Sequence, residues 1–371
     1  VAESSNMNGI NGKGNDTKKS KKKTALIILT CIIGAVLLAL LVFFVTLLVM
    51  RERGKASFGG SPAPNLNDFI ESAGDENDNN KGENNPQKPD FEYDIYYDGS
   101  YYKYKSNIIT LLFMGVDREK PFVKNELYGN GGQSDVIILA VIDRDNKKIS
   151  FISVSRDVMT DIETYDIYGN HISTVKKQLT LQFAYGDGYT ESCRMTAEAV
   201  SNLFFGVTID GYCAMSMGAI APLNDSVGGV EVTLKSDFTD ISPNMKKGAT
   251  VLLLGDVAYK YLRTRPEETN AERLERQKNY LSAFSVKLRE KIKSNIMFVA
   301  TVYSSVKNYV LTNFSLSELL YIASETVNMD MSDEIYTLDG EYVTEGEHAE
   351  FYADKWAMFR LILSLYYDKV G

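Results

Sequence analysis

Arginines at short, regular spacings are the residues of this chain best suited to chemistry. Tyr261-Leu262-Arg263-Thr264-Arg265 places two of them at spacing two, on one side of the chain if the segment is extended. Arg273, Arg276 and Gln277 follow in a run of helical character, where positions 273 and 277 lie one turn apart. Arg156 stands directly after an apolar run ending at Ser155. A guanidinium keeps its charge and matches pairs of phosphate oxygens with a planar fork, so a group of them suits a diphosphate. The spacing by itself fits a solvated face, salt-bridged to the chain's 49 Asp and Glu residues, at least as well.

Two carboxylates could complete such a site. Gly115-Val116-Asp117-Arg118 closes one apolar run, and Ser134-Asp135 opens the next. Strand ends in an α/β sheet are a common place for ligands. Asp117 and Asp135 there could share a divalent cation, with Mg²⁺ favoured because no soft ligand adjoins them in sequence. Aspartates are also common at strand ends for structural reasons, and the residues alone leave both readings open. With only His171 and His348, a histidine-rich zinc site and a Ser-His-Asp triad have little support, and both histidines read as surface or satisfied residues.

The elements that must position these residues are strands first, then helices. Ile108 to Gly115, Val136 to Ile142 and Ile149 to Ser155 are short, apolar and β-branched, as strands buried on both faces should be. The last two flank Asp143-Arg144-Asp145-Asn146, a hairpin turn. Val230 to Leu234 alternates as a half-exposed strand after Gly228-Gly229. Helices are expected over Cys193 to Phe205, Ala271 to Ile292, Ser315 to Val327 and Asp354 to Tyr367. The second of these would bury a stripe of Leu274, Leu281, Phe284, Leu288 and Ile292. Trp356, Tyr366 and Tyr367 would pack the last helix into the core, and Asn130-Gly131-Gly132 would form a rim loop beside the site. The expected fold is α/β: a mixed central sheet flanked by helices, an α-β-α sandwich, forming one domain over 101–371 with a C-terminal helical extension.

Topology places that domain outside a cell. Thr24 to Met50 is an uncharged run of 27 residues, which at roughly 1.5 Å per residue gives about 40 Å of helix, enough to span a bilayer. No small-residue cleavage site follows it, so it reads as a retained transmembrane helix rather than a signal peptide. The basic tail 1–23 carries Lys18, Lys19, Lys21, Lys22 and Lys23 against Arg51, Arg53 and Lys55 beyond the run, which keeps the N-terminus cytoplasmic, a type II arrangement. Residues 51–100 read as an acidic, flexible linker. Residues 1–55 hold nine Lys/Arg and three Asp/Glu, so the formal net charge of −9 leaves −15 for the remainder. Such an acidic part excludes nucleic acid as a partner. Cys31 lies in the apolar run, and Cys193 and Cys213 read as free buried thiols rather than a disulfide.

From about Asn107 to Leu288 the sequence resembles the LytR-CpsA-Psr family of cell-wall glycopolymer ligases. The matching pieces are Leu112-Phe113-Met114-Gly115-Val116-Asp117, Ser134-Asp135-Val136-Ile137-Ile138, Ser153-Val154-Ser155-Arg156-Asp157, Phe183-Ala184-Tyr185-Gly186, Asp225-Ser226-Val227-Gly228-Gly229-Val230, Tyr261-Leu262-Arg263-Thr264-Arg265 and Arg273-Leu274-Glu275-Arg276-Gln277. The resemblance implies an extracellular phosphotransferase. It would take a glycopolymer linked by diphosphate to a polyprenyl lipid of the membrane and join it, through a phosphodiester, to a peptidoglycan sugar hydroxyl. By the same resemblance Arg156, Arg263 and Arg265 grip the diphosphate, Asp117 and Asp135 bind Mg²⁺ with Arg118 beside them, and Arg273 and Gln277 complete the polar wall. Apolar strands and helix faces would sheathe the lipid tail. The chain departs from the family pattern at Gln133, Ser155, Gln178 and Asn270. The alternative is a binding module that holds polyprenyl diphosphates without turnover, as a wall-stress sensor.

Overall fold

The computed structural model describes residues 45–73, 90–264, 269–344 and 348–371, and the chain divides into two compact units, 1–53 and 54–371. Of the first unit, the described residues 45–53 are helical. The membrane span expected over 24–50 lies outside the described residues as far as residue 44. Among the described residues no helix is long and apolar enough to cross a membrane.

The second unit is built on a mixed six-stranded sheet. Its order is Val310–Thr312, Gly211–Ser216, Ile108–Val116, Ser134–Asp143, Lys148–Val154, Asp330–Thr337. Ile108–Val116 lies at the centre, parallel to Gly211–Ser216 and antiparallel to Ser134–Asp143. Side chains alternate between faces along a strand. Leu112, Met114 and Val116 therefore enter one apolar cluster, while Ile109 and Leu111 enter another. Covering both faces explains why these strands read as continuous apolar runs. The expected hairpin forms, with Asp143 Oδ1 accepting from the Asn146 backbone N–H at 3.0 Å.

Helices flank the sheet. One face is covered by Thr190–Leu203 through Cys193 and Val200, and by Lys355–Tyr366 through Phe359, Ile362 and Tyr366. The other is covered in part by Leu316–Thr326 through Tyr321, packed with Phe58 and Met329. Asp354 caps the last long helix by accepting from the Trp356 and Ala357 backbone N–H groups at 2.8 and 3.1 Å. The Trp356 ring packs on Phe69 and Phe359, with centroids 4.8 and 5.4 Å apart, as a core aromatic. Cys193 and Cys213 are free thiols.

Folded structure reaches into the segment expected as a linker. Leu66–Ala73 is a helix whose Leu66 is fully buried, and Ile95–Tyr97 and Ser100–Tyr104 form a small sheet with Tyr367–Lys369. A few apolar anchors, Leu66, Phe69 and Ile95, suffice to dock a stretch whose average composition is polar. The Gly74 to Asn80 run lies outside the described residues.

A third apolar cluster forms a satellite around the hairpin Val230–Thr233 and Thr250–Leu253, with the helices Asp256–Arg263 and Asn270–Ser294. The long helix starts with a capping box: Thr269 Oγ1 accepts from the Glu272 N–H, and Glu272 accepts from the Thr269 N–H at 2.7 Å. Phe284 and Leu288 of the expected stripe pack here, but Leu281 is 60% exposed. The buried direction is set by Arg276 and Tyr280, and Leu281 is turned about 100° from Tyr280.

Candidate functional site

Asp117 emerges where Ile108–Val116 ends, after a register shift between Gly115 and Val116, with its N–H on the Gln133 carbonyl at 3.1 Å. Asp135 is the second residue of the neighbouring strand. The antiparallel register pairs Ile137 with Val154, so two residues further out Asp135 stands opposite Arg156. There Arg156 Nη1 donates to Asp135 Oδ1 at 2.8 Å, and Arg156 Nε lies 3.6 Å from Asp157 Oδ1. The hydrogen bond to Asp135 raises the Arg156 pKa above its ordinary value, and the charges of Asp157 and Asp117 add to it. Arg156, Asp135 and Asp117 thus share one electrostatic neighbourhood.

Arg263 reaches the same neighbourhood from the satellite. It is the last residue of the helix Asp256–Arg263, so the extended geometry expected around it gives way to helix. One turn back, Tyr259 donates its hydroxyl to Glu119 Oε1 at 2.6 Å. Arg263 Nη1 contacts both Glu119 Oε1 and the Tyr259 hydroxyl, and its guanidinium sits 5.7 Å from the Tyr259 ring centroid. Partial burial raises the Tyr259 pKa, and the charge of Asp117 raises it further. Glu119 follows Asp117 by two residues, so the Arg263 contact falls on the loop that leaves the mouth of the central strand. Glu119 is the site residue that sequence reasoning missed. Its partners lie 140 and 144 positions away, and no spacing rule could have found them.

The long helix supports this arrangement from behind. Arg276, only 5% exposed, donates to the Tyr261 carbonyl and, at 2.8 Å, to the Thr264 carbonyl, and its guanidinium packs over the Phe238 and Tyr261 rings. Gln277 Nε2 donates to the Leu262 carbonyl at 3.3 Å. These carbonyls belong to a helix C-terminus, where backbone acceptors lack intrahelical partners. Gln277 thus braces the turn that presents Arg263. Arg273 Nε is buried with no hydrogen-bond partner among the described residues. Arg118 turns from the carboxylate pair to the Pro121 carbonyl at 3.2 Å and the Phe122 ring. Arg265 lies outside the described residues.

A cavity of about 340 Å³ opens beside Arg156 and Asp157, walled by Gln133, Gln178, Thr180 and His348. Gln178 Nε2 donates to the Ala349 carbonyl at 2.6 Å and lies 3.3 Å from Asp157 Oδ1, while Thr180 Oγ1 is buried without a hydrogen-bond partner among the described residues. Two of the departures from the family pattern, Gln133 and Gln178, therefore line this wall. A groove of about 380 Å³ beside Lys176 and Tyr352 holds no arginine and is not where the charged residues meet. Apolar surface is close to Asp117: Phe113 and Val136 lie on one face of adjacent strands and are 39% and 51% exposed. Gly115 makes room beside them, since a Cβ there would sit 3.0 Å from Val136 Cβ.

Among the described residues no group of three or more His, Cys, Asp or Glu is arranged to hold a metal. Asp117 and Asp135 offer oxygen ligands only, and Asp135 Oδ2 makes no hydrogen bond among the described residues, a donor set compatible with Mg²⁺ if a ligand's phosphates and water complete the shell.

Residues 67–358 match the LytR_cpsA_psr family. The chain is similar to the polyisoprenyl-teichoic acid–peptidoglycan teichoic acid transferase TagV of Bacillus subtilis, 25% identical over 222 residues that cover 58% of this chain and 52% of TagV. It is also similar to the corresponding transferase TagU of Bacillus cereus, 24% identical over 239 residues, 64% of this chain and 70% of TagU. The chain spans about half the length of TagV. The solved structure described as TagT bound to LI-WTA shares the fold, with a TM-score of 0.50 and 20% identity over 70% of this chain and 89% of that one.

Proposed function

The chain belongs to the LytR_cpsA_psr family, and on that premise we propose that it transfers a glycopolymer from a polyprenyl-diphosphate carrier to a sugar hydroxyl of peptidoglycan, leaving a phosphodiester. The observation that carries this reading is the Arg156–Asp135 hydrogen bond at the mouth of the strand Ser134–Asp143, together with the contact of Arg263 to Glu119 on the loop that carries Asp117. TagV and TagU are named as transferases of teichoic acid to peptidoglycan, which supports the same chemistry.

In this reading Arg156 and Arg263, joined by Arg265 and Arg273, bind the diphosphate. The acceptor oxygen attacks the phosphorus nearer the glycopolymer. The bridging P–O bond breaks, and polyprenyl monophosphate leaves with the electron pair. Charge grows on the phosphoryl and leaving oxygens, and arginines fixed in advance stabilise it without reorganising. Asp117 and Asp135 would hold Mg²⁺, which when bound neutralises part of the diphosphate charge. Phe113 and Val136 give the lipid tail an apolar surface beside the site. The apolar run Thr24 to Met50 would keep the folded unit on the outer face of the cell membrane, at high effective concentration near its lipid substrate.

The test is turnover of a short-chain polyprenyl diphosphate carrying a sugar, by the full chain in detergent, with and without Mg²⁺. Product formation abolished by Arg263→Ala supports the enzyme. Binding without turnover would replace it with the non-catalytic envelope sensor, and absence of binding would remove both.

A further inference from the structure

The cavity beside Arg156 and the groove beside Tyr352 lie on one face of the molecule. The strand His171–Gln178 pairs with Met159–Tyr165, setting Gln178 opposite Met159 and Lys176 opposite Asp161. Along the other edge of Met159–Tyr165, Val158 bridges Phe351 in parallel, and both side chains are buried. Side chains alternate along a strand, so Met159 and Tyr352, each one residue further on, turn outward together. Gln178, Met159, Lys176, Asp161 and Tyr352 therefore share one outer face, and Lys176 Nζ lies 5.7 Å from the Tyr352 ring centroid across Met159. Gln178 lines the cavity of about 340 Å³ that Arg156 also lines. Lys176, about 6.6 Å away along the same strand, lines the groove of about 380 Å³.

Resting on the phosphotransferase reading of the Arg156 site, we propose that the groove around Lys176 and Tyr352 is a saccharide subsite. It continues the cavity beside Arg156 and holds uncharged sugar units of a glycan strand at a distance from the reacting phosphorus. Its charges cancel: Lys176 and Lys355 are offset by Asp68 and Asp161, as Arg156 is offset by Asp157 next door. With no guanidinium fork and two carboxylates, the groove is a poor seat for a phosphate. Its wall mixes the Asn202 amide with the apolar side chains of Met159 and Phe69. A pyranose carries hydroxyls at its rim and C–H groups on its faces, and such a wall meets both.

Tyr352 supplies the platform. Its ring is 40% exposed, and its hydroxyl donates to Glu350 Oε2 at 2.6 Å, which fixes the ring before a ligand arrives. The ammonium of Lys176 is exposed, and a cation over an exposed ring gains little, so Lys176 can turn from the ring to a sugar hydroxyl. Donor glycopolymer and acceptor glycan share this sugar chemistry, and the KM that responds tells them apart.

Tyr352→Ala and Lys176→Met, made in the full chain in detergent, alter exposed side chains and should leave the melting temperature unchanged. In calorimetry a tetramer of N-acetylglucosamine should bind about tenfold more weakly to Tyr352→Ala and about threefold more weakly to Lys176→Met. Inorganic pyrophosphate should bind both variants as it binds the parent. In turnover, a raised KM for an oligosaccharide-bearing polyprenyl diphosphate, with kcat and the KM of a single-sugar donor unchanged, places the donor strand in the groove. A raised KM for the tetramer as acceptor places the acceptor strand there. Tetramer affinity and both KM values at parent levels in both variants would overturn the proposal. Parallel weakening of pyrophosphate would trace the loss to the polar site and overturn it too. Neither result touches the phosphotransferase reading, which fails on its own if the parent neither binds pyrophosphate nor turns over.

Discussion

Arg276 donates to the carbonyl oxygen of Thr264 across 2.8 Å, from a guanidinium that is almost wholly buried. Its second contact, to the Tyr261 carbonyl, and the Gln277 contact to Leu262 tie the end of one helix to the side of another. Arg263 lies within that tied turn, so the buried Arg276 fixes where the Arg263 guanidinium sits. Arg276→Met should cost about 2–3 kcal/mol of stability, because buried carbonyls lose their donor. Urea unfolding measures that loss. Gln277→Leu, with one partly buried bond to lose, should cost about 1 kcal/mol and raise KM more than it lowers kcat.

Arg156 is held by Asp135 through one nitrogen, Nη1, which leaves other donors of the fork for a ligand. Arg156→Lys keeps the charge but loses the planar geometry. It should lower kcat/KM for polyprenyl diphosphate by about 10²-fold, nearly as much as Arg156→Ala, as expected where prepositioned donors stabilise developing charge. Equal activity of the lysine variant and the parent would mean that Arg156 acts only as a point charge.

The central sheet was readable because burial on both faces imposes unbroken apolar runs, and the caps at Thr269 and Asp354 mark their helices locally. Legibility failed where local pattern and tertiary contact disagree. Arg263 and Arg265 at spacing two imitate a strand, yet Gly255, at φ 51, turns the chain into the helix that Arg263 ends. Arg118 adjoins Asp117 in sequence and still points to Pro121 and Phe122. The hairpin Met159–Tyr165 with His171–Gln178 escaped notice because its second strand exposes most of its side chains and carries no apolar run. Glu119 could be recognised only once two distant segments met.

Alkaline pH should loosen the fold before it ionises its buried acids. Burial raises the Cys213 thiol from 9.0 to about 12 and the Tyr104 phenol from 10.0 to about 12. The folded state therefore keeps protons that the unfolded chain releases. Stability from these groups is complete below about pH 9 and is lost as pH rises toward 12, because in that window the native state binds more protons. Melting temperature should fall steadily above pH 9, and Cys213→Ala should soften the first part of the decline. In the native protein at pH 8 a thiol reagent should leave the buried Cys193 unmodified, and it should react after unfolding.

Phe113 and Val136 offer a way to separate the lipid from its head group. They share one face of adjacent strands beside Asp117, and both keep much of their surface exposed. A polyprenyl chain lying there would bury apolar area at roughly 25 cal/mol per Å², so replacing one of them by a polar residue should remove about 1–2 kcal/mol of binding. Val136→Asn should therefore weaken a polyprenyl diphosphate by about tenfold and leave inorganic pyrophosphate unchanged. Arg263→Ala should weaken both. Two titrations per variant decide it: a parallel loss of both ligands in Val136→Asn would place the damage in the polar site. An unchanged lipid affinity would show that the tail takes another path across the sheet.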